Sequence, residues 1–225
     1  MAGPESIDGG KKWLSVKEPM IIGEAPIYRS SDSTLHWVDA LSNPARLFIV
    51  KLDDAGDAVG DTRVFELEDS VSVVFFRKDK PGSYLGAYSR GVCFIDEATG
   101  KLEVVKEIIP AEQREELRMN DCGIDAKGRF WLSEIDLKTM GVQSPDESTS
   151  RGRLWRYDPD GSLHLMVDHG IAGGNGVEWS PDNKTCEFWT LWLALLHLLN
   201  ALFLFFLSAS IPPRLLPACR LDIRL

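Results

Sequence analysis

Arg118-Met119-Asn120-Asp121-Cys122-Gly123-Ile124-Asp125-Ala126-Lys127-Gly128-Arg129-Phe130-Trp131 sets in order a polar start, a short apolar strand, a turn and a second strand. The pattern returns 55 positions on, in Asn175-Gly176-Val177-Glu178-Trp179-Ser180-Pro181-Asp182-Asn183-Lys184, which makes Asn120 and Asn175 equivalent. Stepping back from Asn120 by 48 reaches Ser72, ahead of Val73-Val74-Phe75-Phe76 and the turn Lys80-Pro81-Gly82. A further 48 reaches Glu24, ahead of Ala25-Pro26-Ile27-Tyr28. Four repeats are headed by Glu24, Ser72, Asn120 and Asn175.

Repeats of about 50 residues, each holding short strands and Gly/Pro/Asp turns, predict an all-β chain built as a β-propeller, one four-stranded blade per repeat. In that architecture the head of each innermost strand lies at the rim of the central channel, so residues far apart in sequence converge there. One carboxylate and two amides at such heads predict a hard-cation site, because oxygen donors suit Ca²⁺, Mg²⁺ or Mn²⁺. Arg118 and Asn120 stand two apart on one strand, and alternation sends them to the same face. Arg118 there supplies a positive fork for a substrate oxygen. Asp121 is expected to face away and satisfy turn backbone.

At 225 residues the chain can bury a full core as one domain or two. Its charge is uneven: the net −9 divides into −10 over residues 1–185 and +1 over the remainder, where Glu187 and Asp222 face Arg214, Arg220 and Arg224. An acidic body excludes nucleic acid as a partner. Cys93, Cys122, Cys186 and Cys219 lack metal-ligand spacing and framework density, which predicts reduced thiols and a cytoplasmic protein. Met1 to Ser15 has no apolar run and does not read as a secretory signal.

Residues 1–19 read as a flexible N-terminus and residues 20–185 as the propeller domain. Val71 to Phe76, Ser83 to Tyr88, Gly91 to Asp96 and Leu102 to Lys106 are the predicted strands of the second blade, with Asp96-Glu97-Ala98-Thr99-Gly100 as a hairpin turn. Glu112 to Leu117 reads as a solvated helical turn, and Leu137 to Ser150 as a long loop of the kind that forms lids. His36, His164 and His169 share no spacing and are read as structural. Residues 186–225 form a tail that departs from the repeat, and Phe188 to Ile211 is 24 residues without a charge. That length can cross a membrane as a helix, with the three arginines flanking it. The competing and stronger reading is a segment foreign to the fold, such as a missed splice site leaves, because propeller repeats do not normally end inside a blade.

Gly23-Glu24-Ala25-Pro26, Arg118-x-Asn120-Asp121, Asp125-x-x-Gly128-Arg129-Phe130-Trp131 and Asn175-Gly176-Val177-x-Trp179-Ser180-x-Asp182 resemble, in order and at compatible spacing, the senescence-marker-protein/gluconolactonase/luciferin-regenerating-enzyme family, which includes regucalcin. The resemblance covers roughly residues 20–185. It implies a six-bladed propeller, here about three to four blades, holding one divalent cation (Ca, Zn, Mn or Mg) and hydrolysing sugar lactones or related cyclic esters. It also implies Glu24 and Asn175 as metal ligands and Arg118 and Asn120 as substrate contacts, with Asn120 close to the metal or its water.

One departure bears on activity. The family's further metal-binding aspartate, its proposed general base, would fall near residue 225, and Asp222 lies in no matching motif, so no catalytic base is assigned. The reading is therefore a gluconolactonase-like hydrolase of small lactones whose activity is impaired in this chain. The alternative is a non-catalytic divalent-cation-binding propeller fragment, anchored in a membrane if the tail is genuine. No protein partner is expected.

Overall fold

The computed structural model describes residue 14, residues 16–140, residues 149–190 and residues 223–224. Within these, the chain is all-β apart from two short helical turns, and it forms four antiparallel sheets. The first sheet holds β1 (Gly23–Arg29), β2 (Thr34–Asp39), β3 (Ala45–Leu52) and β4 (Ala58–Leu67) in sequence order. The second holds β5 (Val71–Phe76), β6 (Ser83–Tyr88), β7 (Gly91–Asp96) and β8 (Leu102–Glu107), also in order. After a 3-10 turn at Ala111–Gln113 with no buried residue, β9 (Leu117–Ile124) and β10 (Phe130–Asp136) lead into a single helical turn, α1 (Leu137–Met140). β11 (Gly152–Tyr157) and β12 (Leu163–Ile171) complete that third sheet, whose order is β12-β11-β10-β9. β13 (Gly174–Trp179), β14 (Thr185–Thr190) and the two-residue β15 (Ile223–Arg224) make the fourth.

Two compact units divide the chain, one on Trp13–Cys122 and the other on Gly123–Leu225, with the boundary inside β9. In the first, Val38, Leu47, Val71, Val74, Tyr84 and Ile95 belong to one buried cluster drawn from the first and second sheets. In the second, Trp131, Leu154, Ile171, Val177, Cys186 and Phe188 form another. Each such aliphatic or aromatic side chain stabilises the fold by about 1.5–3 kcal/mol relative to exposure. The hairpins close on the expected aspartate-to-glycine turns. The Asp96 carboxylate accepts from Ala98 N and Thr99 N, and Gly100 takes φ 73°, the left-handed conformation that glycine adopts without a Cβ clash.

Three of the sheets' first strands break register at their repeat heads: β1 between Glu24 and Ile27, β5 between Val71 and Val73, β13 between Gly174 and Val177. The first and third breaks hold a left-handed residue just after the head, Ala25 at φ 49° and Gly176 at φ 87°. A bulge of this sort releases one side chain from ladder alternation and re-aims it, so three of the four repeat heads coincide with bulges.

Two expectations meet departures. The stretch read as a loop from Leu137 starts as helix α1, because the Asp136 carboxylate accepts from Lys138 N and Thr139 N and caps that turn; residues 141–148 lie outside the described ones. The apolar tail read as a helix from Phe188 opens as strand: β14 carries the fourth sheet through Thr190, with Phe188 opposite Val177 and 2% exposed. Alternate residues of β14 are buried, the period of a strand on a core, and this fixes Cys186 and Phe188 inward. Residues 191–222 lie outside the described ones, and among those described no helix is long and apolar enough to cross a membrane.

Candidate functional site

Glu24 sits half-buried in the β1 bulge. Burial pushes its carboxyl above the usual carboxylate range, the negative charge of Asp121 pushes it further, and Arg118 pulls it back. Arg118 is half-buried on β9, and burial draws its guanidinium below the ordinary arginine range while Glu24 opposes the shift. Its Nε is buried with no hydrogen-bond partner among the described residues. The Trp13–Cys122 unit therefore brings Glu24, Arg118 and Asp121 into one electrostatic neighbourhood, with Asn120 between the latter two on the strand.

Asp121 is the member that sequence reasoning assigned elsewhere. It does accept from Cys122 N at 2.8 Å, as a turn-serving carboxylate would, but its charge also reaches Glu24. The strict alternation behind the expectation does not hold along β9: Leu117 and Met119 are buried, Asn120 and Asp121 are both half-buried, and Cys122 and Gly123 are buried again. The side-chain phase slips at Asn120, which leaves Asp121 on neither face cleanly.

Ser72, the head of the second repeat, lies at the β5 bulge, and its hydroxyl donates to the backbone carbonyl of Asn120 at 2.5 Å. Asn175 heads β13 in the Gly123–Leu225 unit and is half-buried beside left-handed Gly176. An added Cβ at the preceding Gly174 would stand 2.3 Å from the Ser133 Cβ, so only glycine fits there.

Other acids are buried for structural ends. Asp125 accepts from Lys127 N, Arg129 N, Arg129 Nε and Trp131 Nε1. That set of bonds is what the Asp125-x-x-Gly128-Arg129-Phe130-Trp131 motif builds. Glu134 accepts from Arg153 N, Arg153 Nε and Trp155 Nε1. His36 is fully buried between the Tyr84 hydroxyl and the Thr34 hydroxyl, each at 2.7 Å, and burial pulls it down to about 4, so it is a neutral core residue. His164 and His169 are paired on the surface with Asp158 and Asp168.

The donor chemistry suits a hard divalent cation in kind, since a carboxylate and a carboxamide both offer oxygen. Among the described residues no group of three or more His, Cys, Asp or Glu side chains could hold a metal ion; one carboxylate with amides is not a set of that kind.

Residues 22–189 match the family model described as the SMP-30/Gluconolactonase/LRE-like region. The chain is similar to 6-deoxy-6-sulfogluconolactonase of Pseudomonas putida, 25% identical over 169 residues, 74% of this chain and 50% of that protein. It is similar to regucalcin of Danio rerio, 24% identical over 75% of this chain and 51% of the relative. It spans about half the length of these curated relatives. Among solved structures it resembles a luciferin-regenerating enzyme, with TM-score 0.61 and 18% identity over 75% of this chain and 52% of the other. It also resembles a calcium-binding regucalcin from Agrobacterium tumefaciens, with TM-score 0.59 and 22% identity over 79% of this chain and 56% of the other. These likenesses give the four sheets a propeller-type fold.

Proposed function

Because the chain belongs to the SMP-30/gluconolactonase/LRE-like family, we propose that it carries the N-terminal part of a site that hydrolyses sugar lactones or related cyclic esters, on blades of a six-bladed propeller. The observation that supports this most is the neighbourhood of Glu24, Arg118 and Asp121: a half-buried acid held above its usual range, beside a half-buried arginine that burial draws below its own. A group perturbed by desolvation and a specific charge partner is a functional-site candidate, and the bulge at Glu24 re-aims the side chain it releases.

Each residue then has a task its chemistry fits. Glu24 and Asn120 offer oxygens to a divalent cation, which when bound supplies a Lewis acid for the ester carbonyl; Asn175, a further donor by the repeat, heads β13. Arg118 binds and orients the lactone through its guanidinium donors, two of which can grip one carbonyl or ring hydroxyl pair. Asn120, two residues along the strand, fixes the other end of the ring by its carboxamide. The general base is assigned to none of the described residues; on this reading it is a carboxylate beyond Asn175.

Turnover of glucono-δ-lactone by this chain, assayed with added Ca²⁺, Mn²⁺ or Zn²⁺, tests the reading. Arg118→Ala and Asn120→Ala should each lower kcat/KM by about 100-fold, the scale on which lost orientation acts. Turnover that survives both substitutions unchanged overturns the site. Cation binding lost with Glu24→Gln, in a wild-type chain that shows no turnover, favours a binding module instead of an enzyme.

A further inference from the structure

We propose that Ser72 is a positioning residue for Asn120, setting the placement of the Arg118–Asn120 pair; the proposal rests on the lactone-site reading above. β9 is the terminal strand of its sheet, so among the described residues β10 alone pairs with it in that ladder. Two bonds, one to the β6–β7 turn and one from the β5 bulge, tie it further at consecutive residues. Met119 N donates to Ser89 O at 2.9 Å, and the Ser72 hydroxyl donates to Asn120 O at 2.5 Å. Together they fix the height and the roll of β9 at the point where Arg118 and Asn120 leave the strand.

The bulge in β5 explains why the residue is Ser72. The register break between Val71 and Val73 removes Ser72 from the β5–β6 pairing, and a residue so released can be aimed at a neighbouring strand. Its hydroxyl lies 3.5 Å from Ala87 O, too long to compete with the bond to Asn120. In the second repeat, then, the head holds the head of the third by its main chain, where Glu24 and Asn120 offer side chains to a ligand.

Ser70 is the internal control. Its hydroxyl donates to Ala40 O at 2.6 Å, and its carbonyl accepts from Ser89 N at 2.8 Å. It is a sheet-to-sheet tie of the same chemistry that touches no candidate site residue. A merely structural Ser72 would behave as Ser70 does.

The test uses the full chain, with the Asn120 carbonyl carbon and carboxamide followed by NMR and glucono-δ-lactone turnover measured with Ca²⁺. Ser72→Ala should shift both Asn120 signals and lower kcat about tenfold, with KM within about twofold, because small misplacements of an orienting group cost rate steeply. Ser72→Thr should restore signals and rate. Ser70→Ala should lower stability while leaving both in place. If Ser72→Ala does not fold, Ser72→Val against Ser72→Thr carries the same comparison, since these side chains share a shape and differ by the hydroxyl. Asn120 signals that stay put in Ser72→Ala, or move no more than in Ser70→Ala, overturn the proposal. So does a kcat equal to wild type in Ser72→Ala. A wild-type chain without turnover defeats the lactone reading by itself, and the Asn120 signals then decide whether Ser72 positions that residue.

Discussion

In the Gly123–Leu225 unit Asp125 accepts four bonds, two from backbone amides, one from a guanidinium and one from an indole, and the sum of these holds its carboxyl below the usual range in spite of burial. In the Trp13–Cys122 unit Glu24 is subject to burial and to two charges, with no hydrogen bond among the causes of its shift, and its carboxyl lies above the usual range. Both are acids taken partly out of water on a first strand or its turn. These two differ in whether the protein itself provides the donors; Glu134, which accepts from Arg153 and Trp155 and is still raised because burial outweighs those bonds, shows that donors act against burial and do not alone set the direction. A carboxylate whose lone pairs are filled stabilises the fold, whereas one left to burial and charge costs free energy in the ionised form and is retained for something that the chain does not supply. Asp39 shows that the unit does not decide: it too lies in Trp13–Cys122, accepts from Ile21 N, Ile22 N and Arg46, and is held low.

The largest effect expected from this contrast is at Asp125. Asp125→Ala would leave the buried indole N–H of Trp131 and the half-buried Arg129 without their acceptor, which costs about 3 kcal/mol. Urea unfolding at pH 7 measures it as a lower midpoint with an unchanged slope. A loss under about 1 kcal/mol would mean that the saturated acid does not hold the Phe130–Trp131 strand to its turn, and the contrast with Glu24 would fail on its structural side.

A second effect separates core polarity from site polarity within Trp13–Cys122. His36 is fully buried and its pKa is pulled from 6.5 down to about 4. The unfolded chain therefore binds the proton first as pH falls, and stability is lost between about 6.5 and about 4. The limit of that loss is about 3 kcal/mol. Denaturation midpoints at pH 7, 5.5 and 4.5 should fall in turn, and His36→Gln should flatten that part of the profile. An unchanged slope in His36→Gln would assign the pH dependence to carboxylates instead.

Much of the fold could be read from the repeat. The heads Glu24, Ser72, Asn120 and Asn175 fall on β1, β5, β9 and β13, and the strands of the second sheet lie where Val71 to Lys106 placed them. The outer strand β4 escaped notice because Ala58–Leu67 is largely exposed and Gly60 interrupts it, so no alternation of apolar residues marks it. The propeller domain is expected to end at 185, ahead of nearly all of β14 (Thr185–Thr190), because Phe188 and Trp189 merge by composition with the leucines beyond, and composition carries no period at a boundary. For the site, the repeat singles out Glu24, Ser72, Asn120 and Asn175 as heads, and alternation adds Arg118 two residues before Asn120. What the sequence does not carry is the bond from Ser72 to the Asn120 carbonyl, across 48 residues, and the nearness of Asp121 to Glu24, which goes with a slip of alternation along β9. Bulges shift phase by one residue, and a two-residue period read from sequence assumes that there are none.

The smallest effect expected, and the one that tests the contrast most directly, is at Glu24. Its folded pKa is raised above the ordinary value, so the folded state holds the proton more tightly than the unfolded one. Stability then rises as pH falls through the folded pKa, and at neutral pH the ionised carboxylate works against folding. Glu24→Gln keeps the size of the side chain and removes the charge. In the presence of a chelator at pH 7 it should therefore raise the urea midpoint slightly, the opposite sign to Asp125→Ala, although it gives up the attraction of Arg118. Stabilising substitutions at functional positions are of this kind, worth about 1 kcal/mol. Added Ca²⁺ should raise the midpoint of the wild-type chain, by preferential binding to the folded state, and leave that of Glu24→Gln where it was. A Glu24→Gln midpoint that falls in the chelator would show that Arg118 already satisfies Glu24, as Arg129 and Trp131 satisfy Asp125, and the acid would join the structural set.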